Sequence, residues 1–448
     1  MNRPETPEDL QHAGVPKTLR QHLLQGAAIL AFTALFAGPL ITYGCRGEVD
    51  RWRAASAMLQ YENGEVAEAI ATMEQIVEDS DDEPSLIRSL AAMLRDTGRA
   101  GDAVDLCDKW LEKSSGAHPV DRARMLEMKA SCQQMQGEAM SALETIKELH
   151  SMAGSVSTAS PLAWLNDLAY YRALAGTELG QAEDDMNRVI EENESDPNWQ
   201  VKRPVAFHAK TALCAAIVLR DLDRADEAID VLDRWINRYE DLGFERESRL
   251  VEWIYQSATQ FPFKPEVEKQ LTAGRREVID RSNAGLAMML TLRALIAQSE
   301  GDTDRMETDR IRIASLGFES EWLAERLPTM PDCIVTLEES QAYLDTRGYV
   351  RVMQKKYRLA MPDLNLAILA SETLADAMNS PLFNSIELSS SMGTNESRDK
   401  RMQLVIKTQA ILLAHRMQAY QESGRQDLAD RDAEQIRELG FDPEERLF

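Results

Sequence analysis

Small and apolar residues recur along this chain at helical spacing, and the pattern itself repeats at a fixed stride. Gly64, Ala69, Met73 and Ile76 are matched in turn by Gly98, Ala103, Cys107 and Trp110, with the same offset at all four positions. Within a set the apolar positions lie three or four residues apart, which places them on one face of a helix. The glycine ahead of each set reads as the turn between two antiparallel helices. A third set, Gly137, Ala142, Ile146 and Leu149, follows the second at a longer interval, and a five-residue insertion around Ser114–Pro119 explains the common shift. The pattern predicts helix hairpins of about 34 residues, the length of two three- to four-turn helices and their turns.

The fourth unit is WLNDLAYYRALAGTELGQAEDDMNRVIEE, with Gly176 at the turn and Ala182 one residue late. The fifth is HAKTALCAAIVLRDLDRADEAIDVLDRWI, with Asp223 at the turn and Ala228, after an Asp196-Pro197 break. Pro262 and Pro265 then interrupt the pattern and mark a boundary between two sub-arrays. Beyond them the interval from Gly301 to Gly424 equals that from Gly317 to Gly440. Leu-Gly-Phe occurs three times, at Leu242, Leu316 and Leu439. It fits a helix stop whose glycine is left-handed and whose phenylalanine packs back on the helix. Residues 380–400 and Ala153–Ser160 lack periodicity and read as loops.

These units resemble the tetratricopeptide repeat (TPR), a helix–turn–helix module of about 34 residues. The likeness covers most of residues 50–240. It returns at Gly348, Tyr357, Ala360, Leu364 and Ala367, where Lys355 replaces the usual turn glycine. Sel1-like helical repeats stay open for the second half. The fold expected is all-α: an α-solenoid of TPR-like hairpins preceded by one N-terminal transmembrane helix. The expected layout is a tail over 1–21, the membrane helix over 22–45, one array over 50–242, and a more divergent array over 245–448. The family resemblance implies a concave groove lined by the first helix of each hairpin, which takes peptides or partner helices. Its register puts Arg88, Arg95, Arg124, Asn166, Tyr170, Lys210 and Arg220 on that groove. Arginine holds carboxylates bidentately and asparagine pairs with peptide backbone, so the strip suits an acidic segment or a C-terminal carboxylate. The alternative is ordinary surface arginines paired to neighbouring carboxylates, and Glu127 in the same strip favours it.

The membrane helix is expected from Leu23–Tyr43, a charge-free run of about 21 residues. As a helix, Leu23 to Cys45 would span about 34 Å, enough to cross a bilayer. A cleaved signal, a lipoprotein signal ending at Cys45, and a buried core helix compete with that reading. The run is too long for the first, Thr42 and Tyr43 suit the second poorly, and the third would show a polar face. Basic residues flank the run almost equally, so orientation rests on the short N-terminus staying inside, with the repeats extracytoplasmic on the periplasmic side.

Seventy-five acidic against 50 basic residues give a net charge of −25, which repels nucleic acid and excludes it as a partner. The five cysteines are scattered without a CxxC, so neither a disulfide framework nor a zinc site is expected. No HExxH, GxSxG, GxxxxGK[ST] or GxGxxG motif occurs, and no two histidines stand at metal-binding helical spacing. No catalytic residue, metal or cofactor is expected. The chain reads as a membrane-anchored scaffold binding other proteins, with a lipoprotein or secreted accessory that binds peptide or polysaccharide as the alternative.

Overall fold

The structure, a computed structural model, describes residues 49–80, 83–152, 161–194, 199, 205–238, 265–381 and 398–444. They are predominantly helical, and they divide into two compact units at Gln136/Gly137.

The first unit holds α1 (residues 49–62), α2 (Val66–Asp79), α3 (Pro84–Asp96), α4 (Ala100–Lys113) and α5 (Pro119–Met135). Pro84 and Pro119 open their helices at the first turn, where a missing N–H costs nothing. Ala69, Met73 and Ile76, and likewise Ala103 and Cys107, are fully buried, as the periodicity predicts. Helix α3 packs on α2, α4 and α5. Its end at Gly98 shows how the chain reverses. Gly98 takes a left-handed φ of +78°, and the N–H of Arg99 reaches back to the carbonyl of Leu94 at 2.8 Å.

The second unit runs through α6 (Ala139–Ser151), α7 (Pro161–Leu174), α8 (Leu179–Glu194), α9 (Phe207–Asp221) and α10 (Ala225–Arg238). It continues with α11 (Pro265–Glu300), α12 (Thr303–Ser315), the short α13 (Ser320–Ala324) and α14 (Met330–Met353). It ends with α15 (Tyr357–Asn379), α16 (Arg398–Glu422) and α17 (Gln426–Glu438). Asp223 and Lys355 hold the turn position at φ +60° and +61°, so both substitute for glycine in a left-handed backbone. The late Ala182 also has a cause. The turn after Gly176 contains an extra left-handed residue, Glu178 at φ +50°, before α8 begins. The expected Leu-Gly-Phe stops form at Gly317 and Gly440, with φ +84° and +90°, and Phe318 and Phe441 pack on the core. The copy at Leu242 lies outside the described residues, and α11 starts at Pro265, beside the expected boundary.

Packing order departs from chain order in this unit. Helix α9 touches α8 only lightly, and α14 instead stands against α7, α8 and α9. Three buried ion pairs explain the arrangement. Arg293, Arg347 and Arg416 each hold an aspartate 16 residues later, on the second helix of the same hairpin, through Nε and Nη2. The Nη2 bonds measure 2.6, 2.8 and 2.7 Å to Asp309, Asp363 and Asp432, whose residues are 0%, 0% and 3% exposed. The remaining Nη1 reaches a different hairpin in every case: Asp233 on α10 at 2.5 Å, Asn187 on α8 at 3.4 Å, and Asn365 on α15 at 2.9 Å. Thus α11/α12 is tied to α9/α10, α14/α15 to α7/α8, and α16/α17 to α14/α15. The middle pair is the most elaborate, since Asp363 also accepts from Arg351 at 2.7 Å and contacts His208 Nε2 at 2.7 Å.

The expectation of an N-terminal transmembrane helix does not stand. Among the described residues no helix is long and apolar enough to cross a membrane. The longer ones carry charge along their length, as α14 does with Asp332, Asp345, Arg347 and Arg351. The single-pass placement, with residues 22–45 as anchor and the repeats on the periplasmic side, falls with it. The run Leu23–Tyr43 lies outside the described residues. The all-α hairpin architecture holds without it.

Removing the Asp363 carboxylate leaves buried Arg347 without its main counter-charge, so Asp363→Ala should cost about 3–5 kcal/mol. The denaturant midpoint should fall accordingly, while Arg188→Ala, in an exposed pair with Glu192, should leave it unmoved. The same buried pair gives stability a pH dependence. Burial pushes the Asp363 carboxyl up, but Arg347 and the His208 bond overcome this and hold it well below the usual carboxylate range. The unfolded chain therefore binds the proton more readily, and this stabilisation, complete above the ordinary carboxylate range, is lost as pH falls below it. Acid titration of Asp363→Asn should show a shallower loss than the parent. At Gly348 an added Cβ would lie 2.8 Å from Cγ and Cδ2 of the fully buried Leu364. Gly348→Ala should destabilise by about 1–3 kcal/mol in the same assay, because α14 and α15 cannot approach as closely.

Candidate partner-binding surfaces

The expected groove residues fall on both units. On the first, the hairpin register sets α3 beside α5, so residues 36 apart become neighbours. Arg95 Nη1 meets Ser131 Oγ at 3.1 Å, and its Nε holds Asp96 at 2.8 Å. Two turns towards the start of the same helices, Arg88 faces Arg124. Burial and the Arg124 charge both pull the Arg88 guanidinium below its ordinary value, against Asp121 and Glu127. Arg88 Nη1 is buried without a hydrogen-bond acceptor. Lost hydration raises the Glu127 carboxyl, against the pull of Arg124 and Arg88. Arg88 and Arg124 act on each other with Asp121 and Glu127 in range, and the one unmet Arg88 donor makes a spot that an incoming carboxylate would relieve.

On the second unit the remaining four are not brought together. Tyr170 on α7 makes ring contacts with Tyr349 of α14 and His415 of α16, at 6.0 and 6.1 Å between centroids. That face is covered by the chain's own helices. Behind it His415 stacks on Tyr349 at 4.0 Å and pairs through Nδ1 with Asp345 at 2.7 Å. One turn earlier, Asn166 keeps a buried Oδ1 without a hydrogen-bond donor. Lys210 is fully buried, with Nζ 2.5 Å from the Asn193 carbonyl and 4.9 Å from the Trp199 ring centre. Arg220 is paired with Asp221 at 2.7 Å. The register that assigns Lys210 and Arg220 to a groove requires α9 to follow α8 in space, and α14 takes that place.

Sequence reasoning misses a cavity of about 250 Å³ in the second unit, where α10, α15 and α16 converge. Arg234, Arg238 and Arg416 line it with Trp235, Asn365 and Glu372. Periodicity cannot find it, because its arginines come from helices far apart in the chain whose adjacency follows from the packing order. The ion-pair signal is present in the sequence, as an arginine eight residues before a turn and an aspartate eight after it.

Among the described residues no group of three His, Cys, Asp or Glu side chains could hold a metal ion. The thiols of Cys107 and Cys132 are buried, and desolvation pushes them up to about 12 and about 11, far from a reactive thiolate at neutral pH.

No protein-family model matches the chain, and no curated protein does. Among solved structures, yeast Tom70 aligns at 12% identity over 88% of this chain and 92% of its own, with a TM-score of 0.25. NprR in complex with its cognate peptide NprX aligns at 11% over 88% and 99%, TM-score 0.22. The apo quorum sensor NprR from B. thuringiensis aligns at 11% over 90% and 100%, TM-score 0.24. Likeness at this level carries no argument about function, and the repeat architecture rests on this chain's own hairpins.

Proposed function

We propose that this protein is a helical-repeat scaffold that binds acidic segments of partner proteins, and that α3 and α5 of the first unit supply the contact. The observation that carries the reading is the Arg88–Arg124 juxtaposition, with the Arg88 Nη1 donor buried and unmet. Arg124 forms no ion pair among the described residues. Guanidinium groups reward a planar carboxylate with two parallel bonds, and the neighbouring Ser131 and Arg95 extend the polar strip along the helices. The net charge of −25 shapes the selectivity. An acidic ligand is repelled by most of the surface and gains only where two arginines lie together, so register along the ligand matters more than its total charge. The reading is of a binding protein, not a catalyst.

Fluorescence anisotropy with a labelled Glu-rich hexapeptide tests it. Arg88→Glu with Arg124→Glu should weaken binding roughly tenfold or more, given the strength of charge-assisted hydrogen bonds at a half-buried site. Binding should also weaken with added salt. Equal affinity in parent and variant, or a preference for a Lys-rich peptide, would refute the reading.

A further inference from the structure

The cavity in the second unit carries an inference independent of the α3/α5 strip. Its charges are unevenly committed. Arg416 is occupied by Asp432 and Asn365. Arg234 and Arg238 form no ion pair or hydrogen bond among the described residues. Arg238 lies over the Trp235 ring at 5.2 Å, and Trp235 itself stacks on His208. Burial pulls the Arg238 guanidinium below its ordinary value, and only Asp363 opposes this. Helix α15 contributes Ile368 and Leu369 to the lining, together with polar Asn365 and Glu372.

We infer that this cavity binds a carboxylate carried on a short apolar stem, with Arg234 and Arg238 holding the carboxylate and Ile368, Leu369 and Trp235 taking the stem. Size supports a small group: about 250 Å³ is below the ~300 Å³ at which pockets begin to enclose whole ligands. Guanidinium forks bind carboxylate and phosphate alike, so charge is what separates the two. Glu372 lines the same space, and a dianion would set twice the charge beside it. Burial raises the Glu372 carboxyl against Arg416 and Arg234, so its own negative charge is the easier to give up when an anion enters. The carboxylate can belong to a free small acid or to the C-terminus of a peptide, since both present the same group.

Calorimetric titration of the full chain with N-acetyl-leucine tests the site. Saturable binding is expected, with N-acetyl-leucinamide at least about tenfold weaker because it lacks the charge. Arg234→Gln with Arg238→Gln should lose at least about tenfold while helicity by circular dichroism is unchanged, since neither side chain holds another element. Glu372→Gln should move the other way and tighten binding severalfold; this arm decides if the double variant fails to fold. A hexapeptide ending in a free leucine, compared with its amidated form, then assigns the source. Tighter binding than N-acetyl-leucine supports the site as a reader of chain termini, and weaker binding supports it as a site for a free acid. No saturable binding of N-acetyl-leucine, equal binding of the amide, stronger competition by inorganic phosphate, or an unmoved Glu372→Gln would overturn the proposal.

Discussion

The second unit is organised by one interaction repeated three times: a guanidinium on the first helix of a hairpin clasping a carboxylate on the second. The geometry is symmetric about the turn. Gly301, Lys355 and Gly424 each stand eight residues after the arginine and eight before the aspartate, in a left-handed backbone. Equal arm lengths put the two side chains at the same height along antiparallel helices, so the fork meets the carboxylate squarely. Burying such charges is costly, and an apolar filling would serve stability as well. What an apolar filling lacks is the third donor. Nη1 needs an acceptor, and it finds one on another hairpin at an equivalent height: Asp233 and Asn365 are ten residues past their turns, and Asn187 is eleven past Gly176 because Glu178 is inserted. The pair therefore specifies which hairpin stacks on which, a matter of structural identity more than of energy.

That specification explains the largest difference between the sequence pattern and the fold. Hairpins are legible because a turn residue and a buried face are local features: Ala69, Ala103, Ala142, Ala182 and Ala228 all sit at the contact between paired helices and are all fully buried. Neighbours are not legible, because the stride of the repeat says how long a unit is and nothing about which unit it meets. The clasps tie α14/α15 to α7/α8 and α11/α12 to α9/α10. Helix α9 then packs against α14 and α15 and is buried around much of its circumference, including Lys210 and Thr211, which explains its near-continuous apolar sequence.

The same distinction governs the candidate sites. Arg88 and Arg124 are readable as neighbours because they lie on helices that do stack in chain order, as the Arg95–Ser131 bond over the same interval shows. Tyr170, Lys210 and Arg220 follow from an order that the second unit does not keep, and each has a partner within the fold. The cavity is invisible for the complementary reason. Arg234 and Arg238 read as the polar face of an amphipathic helix, and nothing local shows that α15 and α16 line a cavity with them.

In a protein with 25 surplus negative charges, two pairs of arginines form no ion pair among the described residues. The folded structure pairs its deeply placed arginines: Arg293, Arg347 and Arg416 have carboxylates, and even the half-exposed Arg224 holds Glu227 at 2.7 Å. Acidic side chains outnumber basic ones three to two, so a carboxylate is rarely far away. At Arg88 with Arg124 and at Arg234 with Arg238 carboxylates are near, Asp121 and Glu127 at the first and Glu372 at the second, yet these arginines form no ion pair among the described residues. Arg88 and Arg238 lose hydration without recovering a full ionic bond, while Arg124 and Arg234 stay exposed beside them, so an arriving carboxylate would meet each pair without displacing an internal partner.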